Sequence, residues 1–108
     1  MHLIFFLAAP ASPPTNITGR TINSTTIAFS WSPPQPGDQN GIIRNYTISV
    51  TEQDTGRQFS RTSVNTVESF HALHPFYIYV VTITATTVAS GPPSPPIAVQ
   101  TEEECMLL

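Results

Sequence analysis

The chain has 108 residues, no lysine and a formal net charge of -3. This length fits one domain, about the size at which two packed sheets can enclose a core without disulfides or metals. The only cationic side chains besides histidine are Arg20, Arg44, Arg57 and Arg61. Such sparse, scattered charge argues against nucleic acid and anionic membrane surfaces, because both select clustered Lys and Arg.

The first part of the chain predicts four strands. Residues 14–21 supply the first, and residues 25–31 the second, because apolar and polar residues alternate up to Trp31. Residues 33–41 hold three prolines and two glycines, which predicts a loop. A third strand follows with Tyr46, Ile48 and Val50 on one face, and a turn at Asp54-Thr-Gly56 leads into a more polar strand at residues 57–64.

The second part predicts three more strands and a corner. Residues 67–73 read as a short strand, and Leu73, Pro75 and Tyr79 then form a device in which a tyrosine hydroxyl anchors the turn between two sheets. Tyr79 begins a regular inward row, and residues 89–96 form a Gly/Pro loop before a last strand at residues 97–101. The expected fold is all-β, a seven-stranded immunoglobulin-like β-sandwich.

A series of motifs carries a family resemblance. In chain order they are Pro13-Pro14, Trp31-Ser-Pro-Pro34, Asn40-Gly-Ile-Ile-Arg-Asn-Tyr46, Leu73-x-Pro75-x-x-x-Tyr79, Ala85, Gly91, Ser94 and Thr101-Glu102. In this order and spacing they resemble a fibronectin type III domain over residues 13–103, with Tyr77 standing where a threonine is frequent. The repeats most similar are those arranged in tandem in adhesion receptors and receptor-type tyrosine phosphatases. The resemblance implies a monomeric domain in an array that recognises or spaces proteins, without catalysis or cofactor.

Three N-glycosylation sequons begin at Asn16, Asn23 and Asn45. With so many serines and threonines, about one sequon would arise by chance, so three is a modest excess. Alternation that buries Tyr46 turns Asn45 outward. Together with the resemblance, the sequons favour an extracellular or cell-surface location.

Residues 1–12 have two interpretations. Leu3 to Ala9 is apolar and Ala9-Pro-Ala11 has the small-x-small form of a cleavage site, which is typical of a secretory signal. The apolar run is short and no Lys or Arg precedes it, so a truncated leader fits nearly as well. A membrane span needs about 20 apolar residues, so this segment is too short for one.

Residues 104–108 form a tail with one cysteine. Cys105-Met-Leu-Leu108 fits a prenylation box, but prenyl transfer is cytosolic and the preceding residues are acidic rather than basic. Cys105 could also pair between molecules or lie in a simple linker.

Catalytic motifs are weak in this sequence. His71 and His74 lie three residues apart, which in a strand places them on opposite faces and disfavours a shared metal ion. No nucleophile elbow or phosphate loop occurs, so we expect no enzyme activity. Residues 92–96 contain two PxxP frames, which a stiff loop explains more simply than an SH3 ligand.

The function expected is a non-catalytic extracellular interaction or spacer module, and the alternative is an intracellular structural repeat of the muscle-scaffold kind. Two proline-rich loops should lie at the end of the sandwich where the chain enters. Their candidate partner-binding residues are Gln35, Asp38, Asn40, Ser90, Gly91 and Ser94. The competing interpretation is that the domain only spaces its neighbours, and the sequence names no ligand.

Overall fold

The structure, a computed structural model, describes residues 9–104. Its strands are β1 (Thr15–Asn23), β2 (Thr26–Ser32), β3 (Asn45–Glu52), β4 (Gln58–Ser63), β5 (Val67–Phe70), β6 (Ile78–Thr86) and β7 (Ile97–Gln100). They form two antiparallel sheets, with strand order β1-β2-β5 in one and β4-β3-β6-β7 in the other. The predicted seven-stranded sandwich is confirmed.

The pairing of β3 with β6 forms the centre of the larger sheet. Both strands alternate strictly between buried and partly exposed residues, as a half-buried strand must. Their register places Ile48 opposite Ile83 and Val50 opposite Val81, so both buried rows point to the same face. That face meets the buried residues of β2 across the sandwich.

The core is a single cluster of twelve buried apolar side chains. It consists of Ile27, Phe29, Trp31, Tyr46, Ile48, Val50, Phe70, Leu73, Tyr79, Val81, Ile83 and Ala85. Trp31 meets Tyr46 edge to face, with ring centroids 5.5 Å apart, which is a favoured aromatic geometry. The Trp31 indole nitrogen finds no hydrogen-bond partner within residues 9–104, so this ring contributes through packing.

The largest differences from the predicted strand bounds are in β5 and β1. The strand expected over residues 67–73 ends at Phe70, because Ala72 adopts a left-handed φ of 59° and the chain leaves the ladder there. The first strand runs on to Asn23 and is irregular between Thr15 and Thr18, where Asn16 has a φ of 53°. A bulge of this kind inserts an extra residue, so the start of β1 does not follow a simple alternation.

Candidate functional site at the two ends of the sandwich

One end of the sandwich, here called the tip, is built from three loops. Residues 33–44 join β2 to β3, residues 64–66 join β4 to β5, and residues 87–96 join β6 to β7. They lie together because β3 begins opposite the end of β6, with Asn45 paired to Thr86. A short 3-10 turn, Pro36–Asp38, stiffens the first of these loops.

Residues 9–12, here called the strap, lie across the tip. The Ala11 amide donates a hydrogen bond to the Asp38 carbonyl oxygen at 2.7 Å, and the Asn40 side-chain amide donates to the Ala9 carbonyl oxygen at 3.1 Å. Between these two bonds Pro10 is buried, against Gly91 of the opposite loop. The strap therefore connects both of the loops that were selected from the sequence.

The candidate partner-binding residues divide into three groups in the structure. Gln35 and Ser90 are exposed. Asp38, Asn40 and Gly91 contact the strap, so the chain itself already occupies their facing surfaces. Ser94 forms the third group.

The structure corrects the prediction that Ser94 is a partner-binding residue, because Ser94 is buried rather than exposed to a partner. Its side chain is 3% exposed, and its hydroxyl oxygen accepts a hydrogen bond from the Ile83 amide at 2.8 Å. The Ser94 amide donates to the Ile83 carbonyl oxygen at 2.9 Å. Ser94 thus ties the β6–β7 loop to the core sheet, which a loop position in the sequence could not reveal.

Exposed apolar side chains at the tip were not selected from the sequence. Ile42 is 80% exposed, Val64 78% and Val88 57%. Ile42 and Val88 lie on neighbouring loops, because a Cβ atom added at Gly41 would lie 3.7 Å from the Thr87 side chain, which is ordinary contact distance. The sequence feature that could have identified these side chains is a single apolar residue within a loop that is otherwise rich in turn-forming residues.

The opposite end, here called the corner, comprises residues 71–77 and the turn after β3. The Tyr79 hydroxyl accepts a hydrogen bond from the His74 amide at 2.8 Å, between Leu73 and Pro75. It donates in turn to Glu52 Oε2 at 3.3 Å. Tyr79 has no exposed surface; its bond to Glu52 is buried and its bond from the His74 amide is partly buried.

Glu52 is a buried charged residue at the corner, and several side chains of this end bond to it. It is 1% exposed, accepts from the Thr55 hydroxyl at 2.7 Å and pairs with Arg57 at 3.0 Å. It was not among the residues selected from the sequence, although Glu52 continues the inward row of Tyr46, Ile48 and Val50. An acidic residue in an inward position signals a buried network, because a buried carboxylate needs partners.

Hydrogen bonding and charge set the ionisation of this network. The Thr55 hydroxyl lowers the pKa of Glu52 most, with Arg57 acting in the same direction against the effect of burial. Burial raises the pKa of Tyr79, and the adjacent Glu52 carboxylate adds to that rise. Glu52 is therefore charged and Tyr79 neutral at neutral pH, an arrangement suited to bracing a turn.

The C-terminal strand is joined to the same corner. The Thr101 hydroxyl accepts from the Tyr77 amide at 3.0 Å and donates to the His74 carbonyl oxygen at 2.7 Å. The Phe76 amide donates to the Glu102 carbonyl oxygen at 3.1 Å. The Thr101 amide also donates to the Tyr77 carbonyl oxygen at 3.1 Å, so several bonds hold the chain where it leaves the sandwich.

The remaining sequence candidates are distributed over the surface. Asn16 and Asn23 are exposed, and Asn45 is partly exposed at the start of β3. The His74 ring lies against Tyr77 with centroids 4.8 Å apart, and His71 Nδ1 lies 3.5 Å from the Thr26 hydroxyl.

The remaining functional predictions concern metal binding, membrane insertion and the two chain termini. Within residues 9–104, no group of three or more His, Cys, Asp or Glu side chains could hold a metal ion. Over the same residues no helix is long and apolar enough to cross a membrane. The candidate prenylation box and residues 1–8 of the candidate leader lie outside the described residues.

Comparison with known proteins identifies the module. The chain matches the Fibronectin type III domain over residues 12–100. It is 33% identical to Protein sidekick-1 and to Receptor-type tyrosine-protein phosphatase F, both of Mus musculus, over 88% of this chain and 5% of each relative. The FN5 domain of Drosophila Lar superposes with a TM-score of 0.72 at 28% identity, covering 89% of this chain and all of that one. The chain belongs to the fibronectin type III domain family.

Proposed function

We propose that the chain is a non-catalytic interaction or spacer module in the extracellular part of an adhesion or signalling receptor. The observation that carries this proposal is its 33% identity, over 88% of its length, to a sidekick protein and a receptor-type phosphatase. The chain spans about 5% of the length of these relatives, which fits one module among many. Catalysis in such proteins would belong to other domains.

Exposed sequons support an extracellular location. Asn16 lies at the irregular start of β1 and Asn23 at the turn into β2, and both side chains are exposed. A glycan at Asn23 would cover the corner end of the sandwich, whereas Asn16 and Asn45 lie toward the tip, because Thr15 pairs with Ser32 and Asn45 with Thr86. Glycans at Asn16 and Asn45 would border the tip loops and limit the directions from which a protein partner can approach them.

A partner at the tip would meet a composite surface. Gln35 and Ser90 are exposed there, and Ile42 and Val88 add exposed apolar area of the kind that recurs in protein interfaces. The strap lies between the two loops, so a partner would either contact the strap or displace it. We therefore assign recognition to residues 35–42 together with residues 88–91.

Expression in a secretory host tests the location. We expect a mobility shift that peptide N-glycosidase removes, and replacing Asn16, Asn23 and Asn45 by Gln should abolish it. If the secreted protein carried no glycan, the sequons would no longer support an extracellular location. A chain that folds only in the cytosol would favour an intracellular structural repeat.

Loop replacement tests recognition against spacing. Residues 35–42 and 88–91 are replaced by unrelated turns of equal length in the full ectodomain, and cell adhesion is measured. The control replaces the exposed side chains of Gln53 and Asp54 by alanine at the opposite end, which leaves the Thr55 and Arg57 partners of Glu52 in place. Lost adhesion in the tip variant alone supports recognition at the tip, and undiminished adhesion in a folded tip variant assigns the module to spacing.

A further inference from the structure

The strap contacts two loops that are far apart in the sequence. Its backbone bonds reach Asp38 and Asn40 on the β2–β3 loop, and its proline packs on Gly91 of the β6–β7 loop. A segment that only passed over the surface would not need partners on both sides. This arrangement instead places Pro10 in a cleft between the loops.

The fit at Gly91 is close enough to exclude a side chain. A Cβ atom at this position would lie 2.8 Å from the Pro10 carbonyl oxygen and 2.9 Å from the Pro10 Cβ. At Gly37, on the opposing loop, an added Cβ atom would meet nothing within 4 Å, so glycine is not required there for space. The close packing between the cleft and the strap is therefore at Gly91, and not at Gly37.

The strap also has little freedom to pivot. Proline fixes φ at positions 10, 13 and 14, and the side chain of Pro14 is fully buried. On either side of Pro10, the backbone is held at Ala9 and Ala11 by the two hydrogen bonds. No flexible glycine lies between residue 9 and the start of β1.

The geometry points to a stiff joint: we propose that the tip cleft is a docking site for the polypeptide that leads into the module, and that docking fixes its direction. The occupant is an extended, proline-containing segment, represented here by residues 9–12. Because Thr101 and Glu102 are held at the corner, the chain would be fixed both where it enters and where it leaves. This inference rests on the proposed spacer function, because a spacer can set the orientation of its neighbours only if the chain that joins them is held rigidly.

Backbone order parameters from ¹⁵N relaxation of the full chain test this joint. For the amides of Ala9 and Ala11 we expect values near those of rigid strands, about 0.85, and Gly91→Ala should lower them below about 0.6. Gly37→Ala is the matched control and should leave both values unchanged. Asn40→Asp cannot donate to the Ala9 carbonyl oxygen but tolerates the φ of 55° at this position, and it should lower the Ala9 value even if Gly91→Ala impairs folding.

Three outcomes would overturn the joint. Order parameters below about 0.6 in the parent chain would mean that the strap is not docked. Unchanged values in folded Gly91→Ala, or equal loss in Gly37→Ala, would mean that the cleft at Gly91 does not hold it. The order parameters are measured on a chain that retains residues 9–12 and needs no glycan, so failure of the joint is separable from failure of the extracellular assignment.

Discussion

The two ends of this sandwich are held by different kinds of contact. At the corner, the buried side chains of Glu52 and Tyr79 bond to one another and to the backbone of His74. At the tip, the strap is held by a backbone bond, one amide side chain and a single proline. Buried polar networks cost more to break than exposed contacts. The polar contacts of the corner should therefore contribute more to stability than those of the strap, which can open locally without unfolding the module.

Truncating the core at the tip end should have the largest effect. Trp31→Ala removes the ring that packs on Tyr46, and we expect a loss of about 3–5 kcal/mol in the free energy of unfolding. Urea denaturation measures the loss. Val88→Ala, at an exposed tip position, is the control and should change stability little. A Trp31→Ala midpoint equal to the parent's would contradict the assigned core.

Removing the Tyr79 hydroxyl should show how much its hydrogen bonds, rather than the packing of its ring, contribute to stability. Tyr79→Phe leaves the His74 amide without its acceptor and removes one of the three donors to Glu52, so we expect a loss of about 1–3 kcal/mol. Combining it with Glu52→Gln in a double-mutant cycle measures their coupling. Tyr77→Phe is a control that alters a phenol outside this bond pair. An unchanged Tyr79→Phe midpoint would show that the corner bond does not support the fold.

Acid should weaken the corner through Glu52. Its folded pKa lies below the reference value of 4.5, so the carboxylate stabilises the fold above that value, and the stabilisation is lost as pH falls through the folded pKa. The stability difference between the parent and Glu52→Gln should therefore shrink between about pH 5 and pH 2. Chemical denaturation at several pH values measures it. A difference that stayed constant over this range would contradict a lowered Glu52 pKa.

The smallest effect is expected at the tip. Asn40→Asp removes one exposed hydrogen bond to the strap and tolerates the φ of 55° at this position, and we expect a loss below about 1 kcal/mol in global stability. Thermal unfolding measures the change. A loss as large as that of Tyr79→Phe would show that the strap is part of the stability core, and the contrast between the two ends would fail.

The sequence predicted the parts of the fold that depend on side-chain periodicity. Tyr46, Ile48 and Val50 are buried as their alternation required, and Tyr79 reaches the backbone at the position its spacing indicated. Glu52 continues the same alternation, but a charged residue is normally assigned to the surface, so its buried role required the structure.

The tip was less accessible to sequence reasoning for a physical reason. Its contacts join backbone atoms to groups about thirty positions away, such as Ala9 and Asn40, and backbone groups carry no residue-specific signal. Ser94 illustrates the same limit, because a serine in a Gly/Pro loop gives no indication that its hydroxyl is turned toward Ile83. The loops could be located from their composition, whereas the strap that connects them could not.

Native-state hydrogen exchange of the full chain tests the contrast between the two ends most directly. The amide of Leu73, bonded to the Thr25 carbonyl oxygen, should exchange only through global unfolding, so its opening free energy should equal the stability from denaturation. The Ala11 amide, bonded to Asp38, should exchange through a local opening of much lower free energy. Equal opening free energies for these two amides would contradict the account.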